Sequence, residues 1–366
     1  MAKKTLGVAI DLTWPVKHHQ ALVRGILEAA RERGWRCVLD PYLESLAYDG
    51  VILRATRALA HRVGRIPAVN VWVNSPDRRL PRVLPDQAAG GRLAAEHLQS
   101  RGFRRFGFLG HPRDLNSRLQ LDGFRSALKT LPCSTAWIGR EPRTASDWRR
   151  AQRTVEAWIP TWTPPIGIFA SDDLAARILA DACRRRGLRL PDDVGLVGFG
   201  NEELTCEMME PALTSVEQGF ERVGRRAVEA LFRPRSRPIL VPPARLVERA
   251  STDVFAVDDR DVARALRVIA DRTDRPLRVP EVAHAVALSR RTLERRFRAS
   301  LGRSIHDEII RAHVARAKRL LVSTEEPLKR VARLCGFRSP QQLSRVFVLS
   351  ERKTPLAFRY NSPEKR

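Results

Sequence analysis

The sequence predicts a two-part protein. A two-lobed α/β domain with doubly wound parallel sheets should occupy residues 1–250, and residues 251–258 should link it to an all-helical domain over 259–366. Three observations predict this. Short apolar runs alternate with amphipathic stretches through the first 250 residues, as strands alternate with crossover helices. After Asp258 strand signals vanish and a helical period takes over. Basic charge is also denser at that end: from Ala256 onward 26 basic and 13 acidic residues give +13 in 111 positions, out of +25 for the whole chain.

The strands expected, in order, are Leu6 to Leu12, Arg36 to Leu39, Gly50 to Leu53, Ala68 to Val73, Phe106 to Leu109, Ala136 to Ile138, Gly167 to Ala170 and Gly195 to Phe199. Between and after them the helical stretches are Gln20 to Arg33, Gly90 to Arg101, Gln120 to Leu128, Asp147 to Trp158, Asp172 to Arg186 and Phe220 to Phe232. Ile239 to Val241 and Arg245 to Glu248 read as closing strands. So many crossovers imply two lobes, with a ligand cleft at the carboxyl ends of the strands.

Composition narrows the function. At 366 residues and 43% hydrophobic the chain supports two or three packed domains. No run reaches about 18 apolar residues, and the start Met-Ala-Lys-Lys-Thr-Leu lacks a signal-peptide apolar block, so a cytoplasmic protein with no membrane partner is expected. Cysteines at 37, 133, 183, 206 and 335 are too scattered for a structural zinc or a dithiol centre. The first strand runs into Asp11-Leu-Thr-Trp-Pro-Val-Lys-His-His, with no glycine-rich phosphate turn, and no Walker-type motif occurs elsewhere. Adjacent His18 and His19 should diverge, which argues against a shared metal. No cofactor, no metal and no enzymatic activity are expected.

The helical third contains an internal repeat. Val282-Ala283, Ser289, Leu293 and Phe297 recur as Val331-Ala332, Ser339, Leu343 and Phe347, a doubled helix-turn-helix whose second turn is one residue longer. Each Ser should cap the second helix, and Pro340 at its first position presets φ. Leu and Phe at i and i+4 bury one face. Arg291, Glu294, Arg295 and Arg298 in the first copy, and Gln341, Gln342, Ser344 and Arg345 in the second, are then left facing outward, and their Arg and Gln side chains, with Arg290, are the candidate DNA contacts. Arg forks to guanine and Gln bridges adenine in the major groove, so double-stranded promoter DNA is the expected partner. Ser304 with Asp307 should start a helix of about 17 residues from Ile305 to Leu321, a spacer of roughly 25 Å between the copies.

The run Ala317-Lys-Arg-Leu-Leu, Leu328-Lys-Arg-Val-Ala-Arg-Leu-Cys-Gly-Phe-Arg-Ser-Pro-Gln-Gln-Leu-Ser-Arg-Val-Phe and Thr354-Pro-Leu-Ala-Phe-Arg359 resembles the AraC-type DNA-binding domain. The resemblance implies base-reading positions two and six residues after each capping Ser: Arg291 and Arg295, then Gln341 and Arg345. The chain departs from the family at Leu343, at Val348-Leu349 and at Arg352, which stands where a Gly is usual.

The first half resembles the sensing domain of LacI-type repressors, itself similar to periplasmic sugar-binding proteins. The resemblance rests on Asp86 with the following Gly90-Gly-Arg-Leu-Ala-Ala-Glu-His-Leu, on Gly102-Phe-Arg-Arg-Phe-Gly-Phe-Leu-Gly, on Ala170-Ser-Asp-Asp-Leu-Ala, on Pro191-Asp-Asp-Val-Gly-Leu-Val-Gly-Phe and on Leu213-Thr-Ser-Val. It implies a small-molecule effector, a sugar such as xylose, with Asp86, Asp172 and Asn201 at or beside the cleft and Trp14 or Trp72 stacking on the ring. Gln120 and Gly200 stand where relatives usually carry an Arg and an Asp; both are expected in the effector site, and loss of that charged pair makes a non-sugar ligand, or none, the alternative reading. A homodimer that controls carbohydrate genes, activates when the effector is present and engages RNA polymerase follows from the same resemblance.

Overall fold

The computed structural model describes residues 4–10, 17–44, 48–139, 142, 144–233, 236–254, 257, 259–324 and 326–361. The chain divides into a first unit, Met1–Asp253, and a second, Val254–Arg366.

The first lobe of unit 1 holds β1 (Thr5–Ala9), α1 (Lys17–Glu32), β2 (Arg36–Leu39), β3 (Gly50–Leu53), α2 (Arg57–Arg62), β4 (Ala68–Asn70) and β5 (Val83–Pro85). Its sheet is parallel in the order β2-β1-β3-β4. The second lobe contains α3 (Gln87–Ser100), β6 (Phe106–Gly110), α4 (Leu115–Leu128), β7 (Cys133–Trp137), α5 (Ala145–Trp158), β8 (Ile166–Ala170), α6 (Asp173–Arg185), β9 (Val194–Phe199), α7 (Glu203–Glu207) and β10 (Thr214–Glu217). The chain then returns to the first lobe for α8 (Phe220–Ala230) and β11 (Ile239–Val241), and crosses again for β12 (Arg245–Val247). The second sheet runs β12-β10-β9-β8-β6-β7, with only β12 antiparallel. Where the chain passes between lobes, β5 pairs with β11, the Asp86 amide donates to the Val241 carbonyl at 2.7 Å, and the Ala244 amide donates to Glu217 at 2.8 Å.

Several expectations shift here. The strand expected over Ala68 to Val73 stops at Asn70, whose buried Oδ1 accepts the amides of Ala55 and Trp72 and turns the chain away. Strand β10 carries little apolar signal because Thr214 and Ser215 are buried polar residues with hydrogen-bonded hydroxyls. The residues expected to open the linker, Ser251 and Thr252, are fully buried in unit 1: Ser251 Oγ donates to the Leu196 carbonyl, and Thr252 Oγ1 meets Thr214 and His97.

Among the described residues each lobe has one helix pair in backbone contact. In the first, a Cβ at Gly25 of α1 would overlap the Glu221 carbonyl of α8, and one at Gly224 of α8 would overlap that of Leu22. In the second, a Cβ at Gly91 of α3 would overlap the Gln120 carbonyl of α4, and one at Gly123 of α4 would overlap that of Ala88. Only glycine lets helices approach this closely.

Unit 2 comprises α9 (Arg260–Asp271), α10 (Val279–Ala285), α11 (Arg290–Leu301), α12 (Ile305–Ser323), α13 (Leu328–Leu334), α14 (Pro340–Glu351) and α15 (Pro355–Asn361). It has two cores. Val262, Leu266 and Ile269 of α9 pack with Val282, Leu293 and Phe297, whereas Val331, Ala332, Leu343 and Phe347 pack with one another. Helix α12 belongs to both, giving Ile305 and Ile309 to the first core and Val314, Ala317 and Leu321 to the second. A capping box of Ser304 and Asp307 starts it, and its 19 residues make it about 28 Å long.

Candidate effector cavity and DNA-reading helices

A cavity of about 1070 Å³ lies between the two lobes of unit 1. It forms where doubly wound sheets place ligands, beyond the carboxyl ends of strands at the point where strand order reverses. Residues just past six strands line it: Arg54 after β3, Trp72 after β4, His111 after β6, Ser171 and Asp172 after β8, Gly200 after β9 and Gln218 after β10.

The wall from the first lobe is aromatic and cationic. His18 and His19, on α1, meet edge to face with ring centroids 4.4 Å apart, and both line the cavity instead of diverging. His18 stacks on Phe220 at 4.9 Å. Arg54 lies 5.1 Å over the Trp72 ring and 3.4 Å from His19 Nε2. Burial, then the neighbouring His19 and Arg54, push the His18 imidazole down to about 3, so it is neutral at physiological pH.

The opposite wall holds the carboxylates. Asp172 caps α6 through the Ala175 amide at 2.7 Å and accepts from His111 Nε2 at 2.8 Å. Burial works against a charge on His111, but Asp172 and the Gly139 carbonyl outweigh it and raise the imidazole to about 9. Asp173 is buried and accepts from the Ser215 hydroxyl at 2.6 Å and the Glu202 amide at 2.7 Å; burial nonetheless lifts its carboxyl to about 6. Asp114 caps α4 and accepts from Asn74 Nδ2 at 2.6 Å, a bond that joins the lobes.

Three glutamines join this wall in a relay. Gln120 Nε2 donates to Gln87 Oε1 at 2.9 Å, and Gln87 Nε2 donates to Gln218 Oε1 at 3.0 Å. The relay ends on Gln120 Oε1, a buried acceptor with no hydrogen-bond partner. Leaving such an oxygen unmet costs about 1–3 kcal/mol, which a ligand hydroxyl would recover.

Of the residues expected at the effector, Gln120, Asp172, Gly200 and Trp72 line the cavity. Gly200 has φ +122, a backbone setting open to glycine and strained for an aspartate. Asp86 and Asn201 are not among the lining residues. Asp86 caps α3 through the Ala89 amide at 2.8 Å, and Asn201 Oδ1 accepts from Arg249 at 3.0 Å. Trp14 lies outside the described residues. Sequence reasoning missed Arg54, His111, Gln87 and Gln218. Three of them follow strand ends, and that rule could have found them.

In unit 2, Ser289 caps α11 by accepting the Thr292 amide, and Ser339 caps α14 by accepting that of Gln342. The turns hold four residues (286–289) and five (335–339). Arg290, Arg291, Arg295, Arg298, Gln341, Gln342 and Arg345 are all exposed, opposite the buried Leu293–Phe297 and Leu343–Phe347 faces. Two of them have local partners: Arg290 pairs with Glu294 at 2.9 Å, and Gln342 Oε1 accepts the Arg338 amide at 2.8 Å.

A two-lobed sensor fold with a cavity between its lobes, followed by paired and capped helix-turn-helix units, defines a DNA-binding transcription regulator. Residues 95–252 match the model of the periplasmic binding protein-like domain, and residues 282–361 match that of a helix-turn-helix domain. The chain is 32% identical over 288 residues to the xylose operon regulatory protein of Escherichia coli K12, covering 76% of this chain and 73% of that one. It is 28% identical over 335 residues to the protein of the same name from Haemophilus influenzae, covering 87% of each. A solved structure of a xylose-binding transcription activator matches over 98% of both chains, at 26% identity and a TM-score of 0.60. The chain belongs to the family of the xylose operon regulatory proteins, AraC-type regulators with a periplasmic-binding-protein-like sensor.

Proposed function

We propose that the protein is a one-component regulator in which a sugar-class effector occupies the interlobe cavity and changes how the two helix-turn-helix units engage a promoter. The observation that carries this is the cavity itself, with a buried, unmet acceptor on Gln120 in a chain that also bears paired DNA-reading helices. Xylose is the first effector to try, because the relatives' names point to it. In this reading Gln120, Asp172 and Gly200 contact the effector, with Trp72 as an apolar face.

On DNA, Arg291 and Arg295 of the first copy and Gln341 and Arg345 of the second read base edges. Arg290, Arg298 and Gln342 hold phosphates or support the reading residues. The 28 Å length of α12 is of the order of one duplex turn, which suits two probes in successive major grooves. The protein acts in the cytoplasm, where the chromosome is, as a homodimer that activates transcription with RNA polymerase. It has no catalytic role and no cofactor. Effector control requires different affinities for the two states of the protein, so occupancy must alter operator affinity.

Footprinting of genomic fragments by the full chain, repeated over a panel of sugars, tests this. The expected result is a protected promoter site whose occupancy changes with one of them. If no fragment outcompetes random DNA at moderate salt, the regulator reading fails; if a site is found but no sugar alters it, only the effector half fails.

A further inference from the structure

The three cavity glutamines come from three separate elements. Gln87 opens α3 and Gln218 lies between β10 and α8, so both stand where the chain passes between lobes, whereas Gln120 sits within α4. The close contacts at Gly91 and Gly123 lock α3 against α4 and thereby fix Gln87 relative to Gln120. Gln87 uses both ends of its amide: Oε1 accepts from Gln120 Nε2, and Nε2 donates to Gln218 Oε1. A chain of amides linked in this way has a direction. Its surplus N–H falls on Gln218, which is half-buried and within reach of water, and its surplus oxygen falls on Gln120, which is 1% exposed. The reverse direction would strand the Gln120 N–H pair in that dry position, and a buried N–H is left unmet more rarely than a carbonyl oxygen.

We propose that this relay is the specificity-determining element of the cavity: by engaging the Gln120 N–H it turns Oε1 to the occupant, so the effector must donate a hydroxyl hydrogen there. This rests on the reading of the cavity as the effector site. An amide oxygen accepts and cannot donate, so a fluorine or methyl ether at the same place would meet it lone pair to lone pair. Asp172, held as a carboxylate beside His111, also only accepts, which gives the same wall a second point that selects O–H groups. A site built to bond a hydroxyl rejects the analogue lacking it far more strongly than an apolar pocket rejects an added group. Gln87 acts through Gln120 as a positioning residue. Without it the Gln120 amide is released to turn either end to the occupant, and the demand for a donor is lost.

Titration calorimetry of the full chain with D-xylose, D-ribose and D-glucose, each beside its monodeoxyfluoro derivatives, tests the proposal, because fluorine keeps the size of a hydroxyl but donates nothing. For the sugar that binds, fluorine at one ring position should weaken binding tenfold or more in the parent chain and less than threefold in Gln120→Met. Gln87→Met should shrink the loss at that same position to a few-fold, and Gln87→Glu, which still accepts from Gln120 Nε2, should restore it. A merely structural role for Gln87 would weaken sugar and fluoro-sugar alike and leave their ratio where it was. The proposal is overturned, with the sugar-effector reading left standing, if no position loses more in the parent than in Gln120→Met, or if Gln87→Met leaves the ratio unchanged. Should Gln87→Met fail to fold, the comparison of the parent with Gln120→Met and Gln87→Glu decides by itself. No heat from any of the three parent sugars overturns both.

Discussion

Replacing Ala287 with Gly should stabilise the second unit, and replacing Gly336 with Ala should destabilise it more strongly. Both residues follow the first helix of a helix-turn-helix copy in a left-handed conformation, Ala287 at φ +58 and Gly336 at φ +70. A side chain there costs about 1–2 kcal/mol, and the extra freedom that Gly gives the unfolded chain returns about 0.4–1 kcal/mol of that. Ala287→Gly should therefore gain about 0.5–1 kcal/mol. Gly336→Ala meets the same strain and a crowded site: its Cβ would overlap the Arg275 carbonyl and lie 2.6 Å from His313 Cε1. Overpacking of that kind adds about 1–3 kcal/mol, for a loss of about 2–4 kcal/mol. Urea unfolding of the full chain followed by circular dichroism at the helix band reads both changes. All seven Trp residues precede Asp253, so Trp fluorescence reports unit 1 alone and should not move. Destabilisation by Ala287→Gly, or a Gly336→Ala variant as stable as the parent, would refute the reasoning about these turns.

Arg295→Ala should lower discrimination at one base pair by about 1–3 kcal/mol in competition binding, whereas equal losses on every sequence would show a phosphate contact instead. The His111–Asp172 pair should make unit 1 depend on pH. The folded imidazole sits at about 9 against an ordinary 6.5, so its contribution is fully present below about 6.5 and is lost as pH rises through 9. Discounted for solvent at the 38% exposed Asp172 side chain, that contribution is about 1–2 kcal/mol; His111→Gln should flatten the dependence in urea melts at pH 6, 7.5 and 9. Gly91→Ala should cost unit 1 about 1–3 kcal/mol by Trp fluorescence, because its Cβ would overlap the Gln120 carbonyl and lie 2.8 Å from the Phe124 amide.

The helix-turn-helix copies were legible because their signals are local. A capping Ser and two apolar residues four apart define each reading helix, and Ser289, Leu293 and Phe297 stand where that pattern places them. The cavity was harder to read because its residues come together only through tertiary packing. Gln87 and Gln218 are 131 positions apart yet share a hydrogen bond. Asp86 and Asn201 look like ligand groups because both are polar and lie beside strand ends, but Asp86 satisfies a helix terminus and Asn201 serves Arg249. Sequence can name the residue types that bind sugars. It cannot show which of them the backbone has already engaged.

The glycine crossings bear on how such a sensor can respond. Cavity residues ride on those same helix pairs, His18, His19 and Phe220 on one and Gln87, Asn116 and Gln120 on the other. Helices in backbone contact cannot slide past each other without collision, so each pair acts as a stiff plate. Compliance is left to the three strand passages between the plates, like pins in a hinge. An occupant can therefore be registered as a change in tilt between two rigid halves, and a substitution that loosens either plate would blur that tilt without touching a single atom of the ligand.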